Sequence, residues 1–216
     1  MRAVAAGLLS ASAVRRGMWL AFALATLCGV YLIHTAGWAV LAIGVASIAA
    51  GIAYTGGPWP LGYHGLGDVF VLLFFGFVAV CGTVFVQTGQ VSTLALLASV
   101  PVGALATAIL VVNNLRDRHT DVKAGKRTLA VRFGRRFVLA EYLVLLLATQ
   151  AATVAISLQM GSRWPLLALV TLPVGLRLLG RIRDGEGRSL NPLLGATARL
   201  MLLHGLLLSA GLLMRR

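Results

Sequence analysis

The stretch VSTLALLASVPVGALATAILVVN (residues 91–113) has no charged side chain along its 23 positions, and it runs directly into the polar stretch NLRDRHTDVKAGKRT (residues 114–128). An apolar run of about 20 residues is long enough for a helix to cross the hydrocarbon core of a bilayer. Because backbone groups in lipid must bond to one another, such a run is expected to be helical. The stretch predicts a membrane-spanning helix followed by a dense polar segment.

The rest of the chain repeats this apolar pattern. Hydrophobic residues make up 59% of the 216 residues, charged residues only 12%, and the mean hydropathy is +0.90. These values lie far outside the range of soluble globular proteins. The expected fold is all-α, a polytopic transmembrane helical bundle that forms a single domain over residues 1–216. Seven spans are predicted, at residues 17–35, 37–54, 68–87, 91–113, 137–158, 164–180 and 194–214.

Many of the 25 glycines lie within these spans and should let helices approach closely. Examples are Gly44, Gly51, Gly76, Gly82 and Gly103.

The net charge of +13 is spread over short segments between apolar spans, which argues against nucleic-acid binding. With the N-terminus in the cytoplasm, 16 of the 19 Lys and Arg residues, Arg2 among them, fall on the cytoplasmic side. Arg163, Arg215 and Arg216 fall on the other side. The positive-inside rule favours this orientation. It places three loops together in the cytoplasm, at residues 55–67, 114–136 and 181–193.

Asp117 and Asp121 form the candidate catalytic and metal site. If the preceding helix continues through the polar segment, their spacing of four residues puts both carboxylates on one helix face. Mg²⁺ binds few protein carboxylates and completes its octahedron with water and phosphate oxygens. The pair is therefore expected to bind Mg²⁺ together with a phosphorylated substrate.

Neighbouring side chains supply amides and positive charge for a phosphate group. Asn113 and Asn114 lie one turn earlier, and the bases are Arg116, Lys123, Lys126 and Arg127. Together they describe a site for a metal-bound diphosphate. The alternative is a solvated segment whose charged groups pair with one another and with lipid headgroups, and the spacing alone does not decide between the two.

The loop YTGGPWPLGYHGLGD (residues 54–68) has no Lys or Arg and is rich in Gly, Pro and aromatic residues. It suggests a rigid surface for a flat organic substrate, or else an interfacial loop anchored by Trp59 and Tyr63. Asp68, at the start of the next span, is either functional or a helix N-cap.

Other polar residues within the spans are expected to be structural. Glu141 should pair locally with Arg135 or Arg136. His34, His204 and Gln150 have no predicted role in a site.

Two motifs resemble those of the UbiA superfamily of membrane-embedded aromatic prenyltransferases. Residues 113–134, NNLRDRHTDVKAGKRTLAVRFG, are similar to the second Asp-rich motif of that family. Residues 54–68 are similar to the sequence specific to its branch that prenylates 1,4-dihydroxy-2-naphthoate in menaquinone synthesis. The resemblance covers essentially the whole chain.

The resemblance implies transfer of a polyprenyl group from polyprenyl diphosphate to 1,4-dihydroxy-2-naphthoate, giving demethylmenaquinol, in a bacterial cytoplasmic membrane. Mg²⁺ on Asp117 and Asp121 would promote departure of the diphosphate, and Tyr54, Tyr63 and Asp68 would shape the acceptor side. Prenylation of another aromatic acceptor, or a non-catalytic membrane role, is the alternative. Charges at span ends rather than mid-span argue against a transporter.

Family members have nine transmembrane helices and a further Asp-rich motif between helices two and three. No acidic residue precedes Asp68 here, and residues 2–10 resemble the family segment that lies just after that first motif. The seven spans are therefore expected to correspond to helices three to nine. On this expectation the chain lacks the first two helices, because it is a fragment, because its start was placed too late, or because it has lost half of the site. Prenyl transfer by the chain alone is expected to be lost.

Overall fold

The computed structural model of the protein describes residues 7–56 and 58–214, with Thr55 described in its backbone only. Arg2, Arg215 and Arg216 of the charge count, residues 2–6 of the N-terminal resemblance and Gly57 of the aromatic stretch lie outside the described residues.

The described residues form seven main helices and no strand. Two of them change helix type along their length: α3 contains a π-helical segment, Leu72–Val78, and α6 begins as a 3₁₀ helix, Trp164–Val170. Short 3₁₀ turns lie at Leu61–Tyr63 and Gly187–Leu190. The seven helices are α1 (Ala11–Ala36), α2 (Trp38–Thr55), α3 (Gly67–Thr88), α4 (Thr93–Lys123), α5 (Leu129–Met160), α6 (Trp164–Asp184) and α7 (Asn191–Leu213).

These helices confirm the all-α transmembrane class and coincide with the seven predicted spans. Six are long and apolar enough to cross a membrane, and the second, apolar over Trp38–Tyr54, is shorter. The prediction that residues 114–136 form a loop was wrong. Helix α4 continues to Lys123 and α5 begins at Leu129. The backbone can stay helical there because long charged side chains at a helix end reach water without unwinding the helix.

Local signals account for the helix ends. Ser92 caps α4, its Oγ accepting a hydrogen bond from the backbone N of Ala95 at 3.1 Å, and Thr128 caps α5 in the same way. Gly89 ends α3 and Gly161 ends α5, both in the left-handed conformation that favours glycine. Gly134, with φ of 75°, interrupts α5 one turn after its start.

The chain divides into two compact units, Met1–Ala46 and Ser47–Arg216. The first contains α1, which has no buried residue, and the beginning of α2. The second contains the remaining helices. Its core lies between α4, α5, α6 and α7 and includes Leu105, Val112, Tyr142 and Leu200.

Two glycines bring α3 and α4 into backbone contact within this second unit. A Cβ on Gly76 would lie 2.8 Å from the Cα of Gly103, and one on Gly103 would lie 2.7 Å from the carbonyl oxygen of Leu72. At this crossing, glycine allows the close helix packing that the sequence predicted. Gly44 and Gly82 do not have this role, because a Cβ there would have no described atom within 4 Å.

His204 is a structural residue of the core, as expected. Its Nδ1 lies 2.8 Å from the Thr171 hydroxyl and its Nε2 lies 3.2 Å from the Thr153 hydroxyl. The imidazole therefore joins α5, α6 and α7 through hydrogen bonds that use both ring nitrogens.

Candidate active site

Three oxygen-bearing side chains follow one another along the polar end of α4: Asn113, Asp117 and Asp121. The segment is helical throughout, so the spacing of four residues places them along one face, with a rise of about 6 Å per step. The condition on which the sequence-based metal site depended, a helix continuing through residues 114–121, is therefore met. We call these three residues the oxygen column.

Arg116 neutralises the middle of the oxygen column. Its Nε and Nη2 donate to the two carboxylate oxygens of Asp117 at 2.7 and 2.6 Å. The same Nη2 donates to the Oδ1 of Asn113 at 2.8 Å. This forked, charge-assisted geometry is the strongest form of Arg–carboxylate pair. Arg116 thus connects two members of the column.

Lys126 neutralises the end of the oxygen column. Its Nζ lies 3.1 Å from Oδ1 of Asp121, whose side chain is only 9% exposed. A tight turn at Gly125 brings Lys126 back over the helix end, and the backbone N of Lys126 donates to the carbonyl of Asp121 at 2.9 Å. Lys126 also lies 5.4 Å from the centre of the Tyr63 ring. It therefore stands between the acidic column and the aromatic loop.

The aromatic loop, residues 58–66, is docked on the start of α5. The backbone N of Arg127 donates to the carbonyl of Tyr63 at 2.7 Å, and Nη2 of Arg132 donates to the carbonyl of His64 at 2.9 Å. Gly65 has φ of 77°, and a Cβ there would lie 2.9 Å from the carbonyl oxygen of Arg127. Two loops predicted to share one side of the membrane are thus in direct contact.

Stacking stiffens the aromatic loop. The rings of Trp59 and His64 stack with centres 4.0 Å apart, and Nδ1 of His64 lies 2.9 Å from the carbonyl of Pro60. Trp59 is exposed. The loop therefore presents a fixed aromatic surface rather than a mobile tether.

Tyr54 packs where the aromatic loop meets α3. A Cβ on Gly62 would lie 3.1 Å from its ring, and one on Gly67 would lie 3.0 Å from its hydroxyl. Tyr54 is also near enough to Asp68 and Lys126 for their charges to act on its hydroxyl. The predicted acceptor-side residues Tyr54 and Asp68 are therefore close neighbours.

Asp68 is buried, 5% exposed, and its Oδ1 has no hydrogen-bond partner among the described residues. It is not the N-cap of α3, because that position belongs to Leu66 and Asp68 lies within the first turn. Buried polar atoms are normally paired, and an unpaired one costs free energy. Asp68 is therefore not a helix cap, although its place in the first turn of α3 is one where the helix dipole favours a negative charge.

Three predicted ligands fall outside this arrangement. Asn114 lies about 100° around α4 from Asn113 and is buried. Lys123 is exposed in the last turn of α4, and Arg127 contributes its backbone N to the loop contact while its side chain is exposed. The structure therefore brings together Asn113, Arg116, Asp117, Asp121, Lys126 and Tyr63, with Tyr54 and Asp68 beside them.

The predicted local pairing of Glu141 was wrong for Arg135. The guanidinium of Arg135 instead donates to the backbone carbonyls of Ile182, Arg183 and Gly185 at the end of α6. Glu141 lies near enough to Asp68 for their charges to interact. Closeness in sequence did not bring Arg135 to Glu141. The turn at Gly134 and the packing of α5 on α6 direct the Arg135 side chain to the end of α6 instead.

One contact of the oxygen column came from a residue that sequence reasoning missed. Oδ1 of Asn191, at the start of α7, accepts a hydrogen bond from Nη1 of Arg116 at 3.2 Å. Within the sequence, Asn191 and Pro192 indicate only a helix start. The sequence separation of 75 positions leaves no local pattern that would join it to Arg116.

The donor set of the column fits a hard cation. The described residues contain no cluster of three or more His, Cys, Asp or Glu side chains of the kind that forms a closed metal site. Two carboxylates and one amide oxygen on a single face form an open set instead. Such a set suits Mg²⁺, which fills its remaining positions with water and phosphate oxygens.

Comparison with known proteins agrees with these features. Residues 1–212 match the UbiA prenyltransferase family. The 1,4-dihydroxy-2-naphthoate octaprenyltransferase of Mycobacterium tuberculosis is 38% identical over 98% of this chain and 72% of its own length. The protein of that name from Escherichia coli is 32% identical over 98% of this chain and 71% of its own length. The one from Mycobacterium leprae is 39% identical over 82% of this chain, and the match spans 60% of its own length.

Proposed function

Because the chain belongs to the UbiA prenyltransferase family, we propose that it transfers a polyprenyl group from polyprenyl diphosphate to 1,4-dihydroxy-2-naphthoate in menaquinone synthesis. Family membership confirms the prenyl-transferring class of enzyme expected from the sequence. The observation that carries the proposal is the position of Lys126 between the acidic end of α4 and the aromatic loop. A diphosphate and an aromatic acceptor would meet at this junction.

On the diphosphate side, Asp117 and Asp121 would hold Mg²⁺, with Asn113 as a neighbouring oxygen donor. Bound Mg²⁺ would supply positive charge that stabilises the departing diphosphate. Arg116 and Lys126, now paired with the two carboxylates, would turn their N–H groups to phosphate oxygens.

On the acceptor side, the Asp68 carboxylate would accept a hydrogen bond from a ring hydroxyl and orient the naphthoate. Tyr54 and Tyr63 would line its ring. A ring carbon forms the bond to the allylic carbon as the carbon–oxygen bond to diphosphate breaks, and the acceptor carboxyl group leaves as carbon dioxide. The isoprenoid tail would lie against the apolar faces of the helices.

The site would open to the cytoplasm. The chain is an integral membrane protein, and contacts join all three loops that the charge distribution assigned to the cytoplasmic side. Arg127 contacts Tyr63, and Arg116 contacts Asn191. Charges concentrated at one end of the spans support this orientation.

The test uses membranes containing this chain extended upstream through a first Asp-rich motif, supplied with Mg²⁺, labelled octaprenyl diphosphate and 1,4-dihydroxy-2-naphthoate, with labelled demethylmenaquinol as the readout. Asp117→Asn should abolish the product. Asp184→Asn, which alters an exposed acid outside the column, should leave it unchanged. Equal turnover by Asp117→Asn, or a preference for 4-hydroxybenzoate as acceptor, would contradict the proposal.

A second readout does not depend on turnover. Binding of inorganic diphosphate to the purified chain in detergent, measured by titration calorimetry with and without Mg²⁺, should require both Mg²⁺ and Asp117. Binding that is unchanged by Asp117→Asn would place the diphosphate elsewhere.

A further inference from the structure

The segment between α6 and α7, residues 185–191, is held rigidly beside the oxygen column. Arg135 donates to the carbonyl of Gly185 at its start, and Leu190 near its end is fully buried. Between them, the Ser189 hydroxyl bonds the backbone of Glu186 and closes the 3₁₀ turn Gly187–Leu190. The position of Asn191 is therefore set by the segment that precedes it.

Asn191 does not use its side chain to begin α7. The N-cap of that helix is Leu190, and no side chain caps it. The amide oxygen of Asn191 instead accepts a hydrogen bond from Arg116. Asparagine often caps the start of its own helix, but Asn191 instead bonds a side chain of α4, the helix that carries the oxygen column.

Arg116 has one charged partner and two neutral ones. The Asp117 carboxylate neutralises it, whereas Asn113 and Asn191 accept hydrogen bonds without cancelling its charge. A cation on Asp117 competes with Arg116 for the same carboxylate oxygens. Once that pair is broken, the Asn191 amide, which lies outside the oxygen column, still holds the guanidinium, and its charge becomes available to an anion.

Resting on the proposed function, we propose that Asn191 is a positioning residue for Arg116. Its amide oxygen keeps the guanidinium at the edge of the oxygen column when Mg²⁺ takes Asp117, so that Arg116 binds the diphosphate of the prenyl donor. An amide suits this task because it orients the guanidinium and leaves its positive charge uncompensated. The long, flexible arginine side chain then loses less conformational freedom when it binds the substrate.

The test is a double-mutant cycle on Mg²⁺-dependent binding of inorganic diphosphate, measured calorimetrically on the whole chain in detergent. Asn191→Ala should weaken binding roughly tenfold, the effect of losing one hydrogen bond to a charged group. In an Arg116→Ala background, Asn191→Ala should have no further effect, because the two residues act as one unit. Asn191→Asp keeps an acceptor of the same shape but adds negative charge, so it should also weaken diphosphate binding.

The matched control is His119→Ala. It removes another hydrogen-bonded contact between the described residues of α4 and this segment, the exposed pair of His119 with Glu186, and should leave binding unchanged. Additive losses from Asn191→Ala and Arg116→Ala would overturn the proposal, as would wild-type binding by both Asn191 variants. If Asn191→Ala fails to fold, Asn191→Asp decides alone. Failure of the wild-type chain to bind diphosphate would instead refute the proposed function.

Discussion

At the scale of single residues, the two carboxylates of the oxygen column have different surroundings. Asp117 has 34% of its side chain exposed and pairs with an adjacent residue of its own helix. Asp121 is nearly buried and pairs with Lys126, which lies beyond the turn that ends α4. The Arg116–Asp117 pair is a local, partly solvated contact. The Lys126–Asp121 pair also holds the loop that carries Lys126 against the end of α4.

Asp121→Asn should therefore lower the melting temperature more than Asp117→Asn does. Loss of the Asp117 charge removes a partly exposed pair, but Arg116 keeps the amide oxygens of Asn113 and Asn191 as partners, so the cost should be about 0–1 kcal/mol. Loss of the Asp121 charge leaves a half-buried ammonium without its partner, at about 1–3 kcal/mol. Thermal unfolding of both variants in the same detergent measures the difference. A larger loss for Asp117→Asn would show that the Lys126 contact does not stabilise the turn.

A substitution at Asp68 should affect turnover and thermal stability differently. Asp68→Asn removes a buried charge that has no partner for its Oδ1, so the melting temperature should stay the same or rise. In a version extended upstream through a first Asp-rich motif, turnover with 1,4-dihydroxy-2-naphthoate should fall about tenfold or more, because the amide is a weaker hydrogen-bond acceptor than the carboxylate. Unchanged turnover together with a lowered melting temperature would mean that the carboxylate serves only the fold.

At the scale of helices, the crossing of α3 and α4 positions the site. The π-helical segment of α3 lies against α4 at Gly76 and Gly103, and the hydroxyl of Thr107, one turn beyond Gly103, lies 3.4 Å from the carbonyl of Asp68. Close approach of the two backbones thus sets how Asp68 lies relative to the helix that carries the oxygen column. Larger side chains at this crossing would move the acceptor side away from the diphosphate side.

Gly103→Ala should destabilise the protein, although alanine favours a helix by about 1 kcal/mol over glycine. The new Cβ would lie 2.7 Å from a backbone oxygen of α3, and such overpacking costs about 1–3 kcal/mol. Gly82→Ala is the matched control, because a Cβ there meets no described atom within 4 Å and only the helix preference changes. Thermal unfolding should rank Gly103→Ala below the wild type and Gly82→Ala at or above it. The reverse order would exclude a tight crossing.

At the scale of the whole molecule, the orientation in the membrane decides which compartment supplies the substrates. Arg188 lies in the segment before α7, on the proposed cytoplasmic side. Arg163 lies between α5 and α6 and is the one arginine of the described chain assigned to the opposite side. Both side chains are exposed.

Cysteine labelling of intact bacterial cells tests this orientation, in a variant whose Cys28 and Cys81 are changed to alanine. A membrane-impermeant maleimide should label Arg163→Cys in intact cells, and it should label Arg188→Cys only after lysis. The reason is that the positive-inside rule retains the arginine-rich segments in the cytoplasm. Labelling of Arg188→Cys in intact cells would reverse the orientation and the location of the site.

The amino-acid sequence by itself determined the features that depend on near neighbours in the chain. Runs of about 20 apolar residues determined seven helices, because lipid leaves the backbone no other way to bond. The spacing of Asp117 and Asp121 put both carboxylates on one face on the condition that the helix continues through them, because helical periodicity is local. The motifs around residues 54–68 and 113–134 were sufficient to indicate the family that the comparison confirmed.

Only the tertiary structure decided which distant groups meet. Packing of α7 against α4 brought Asn191 to Arg116, and packing of α5 against α6 directed Arg135 to backbone carbonyls rather than to Glu141. The docking of Tyr63 on Arg127 and the burial of Asp68 arose in the same way. The physical reason is that a polar side chain has many competing partners of similar strength within reach of its own segment. Which one it keeps is set by the shape of the packed helices, and no short sequence pattern records that shape.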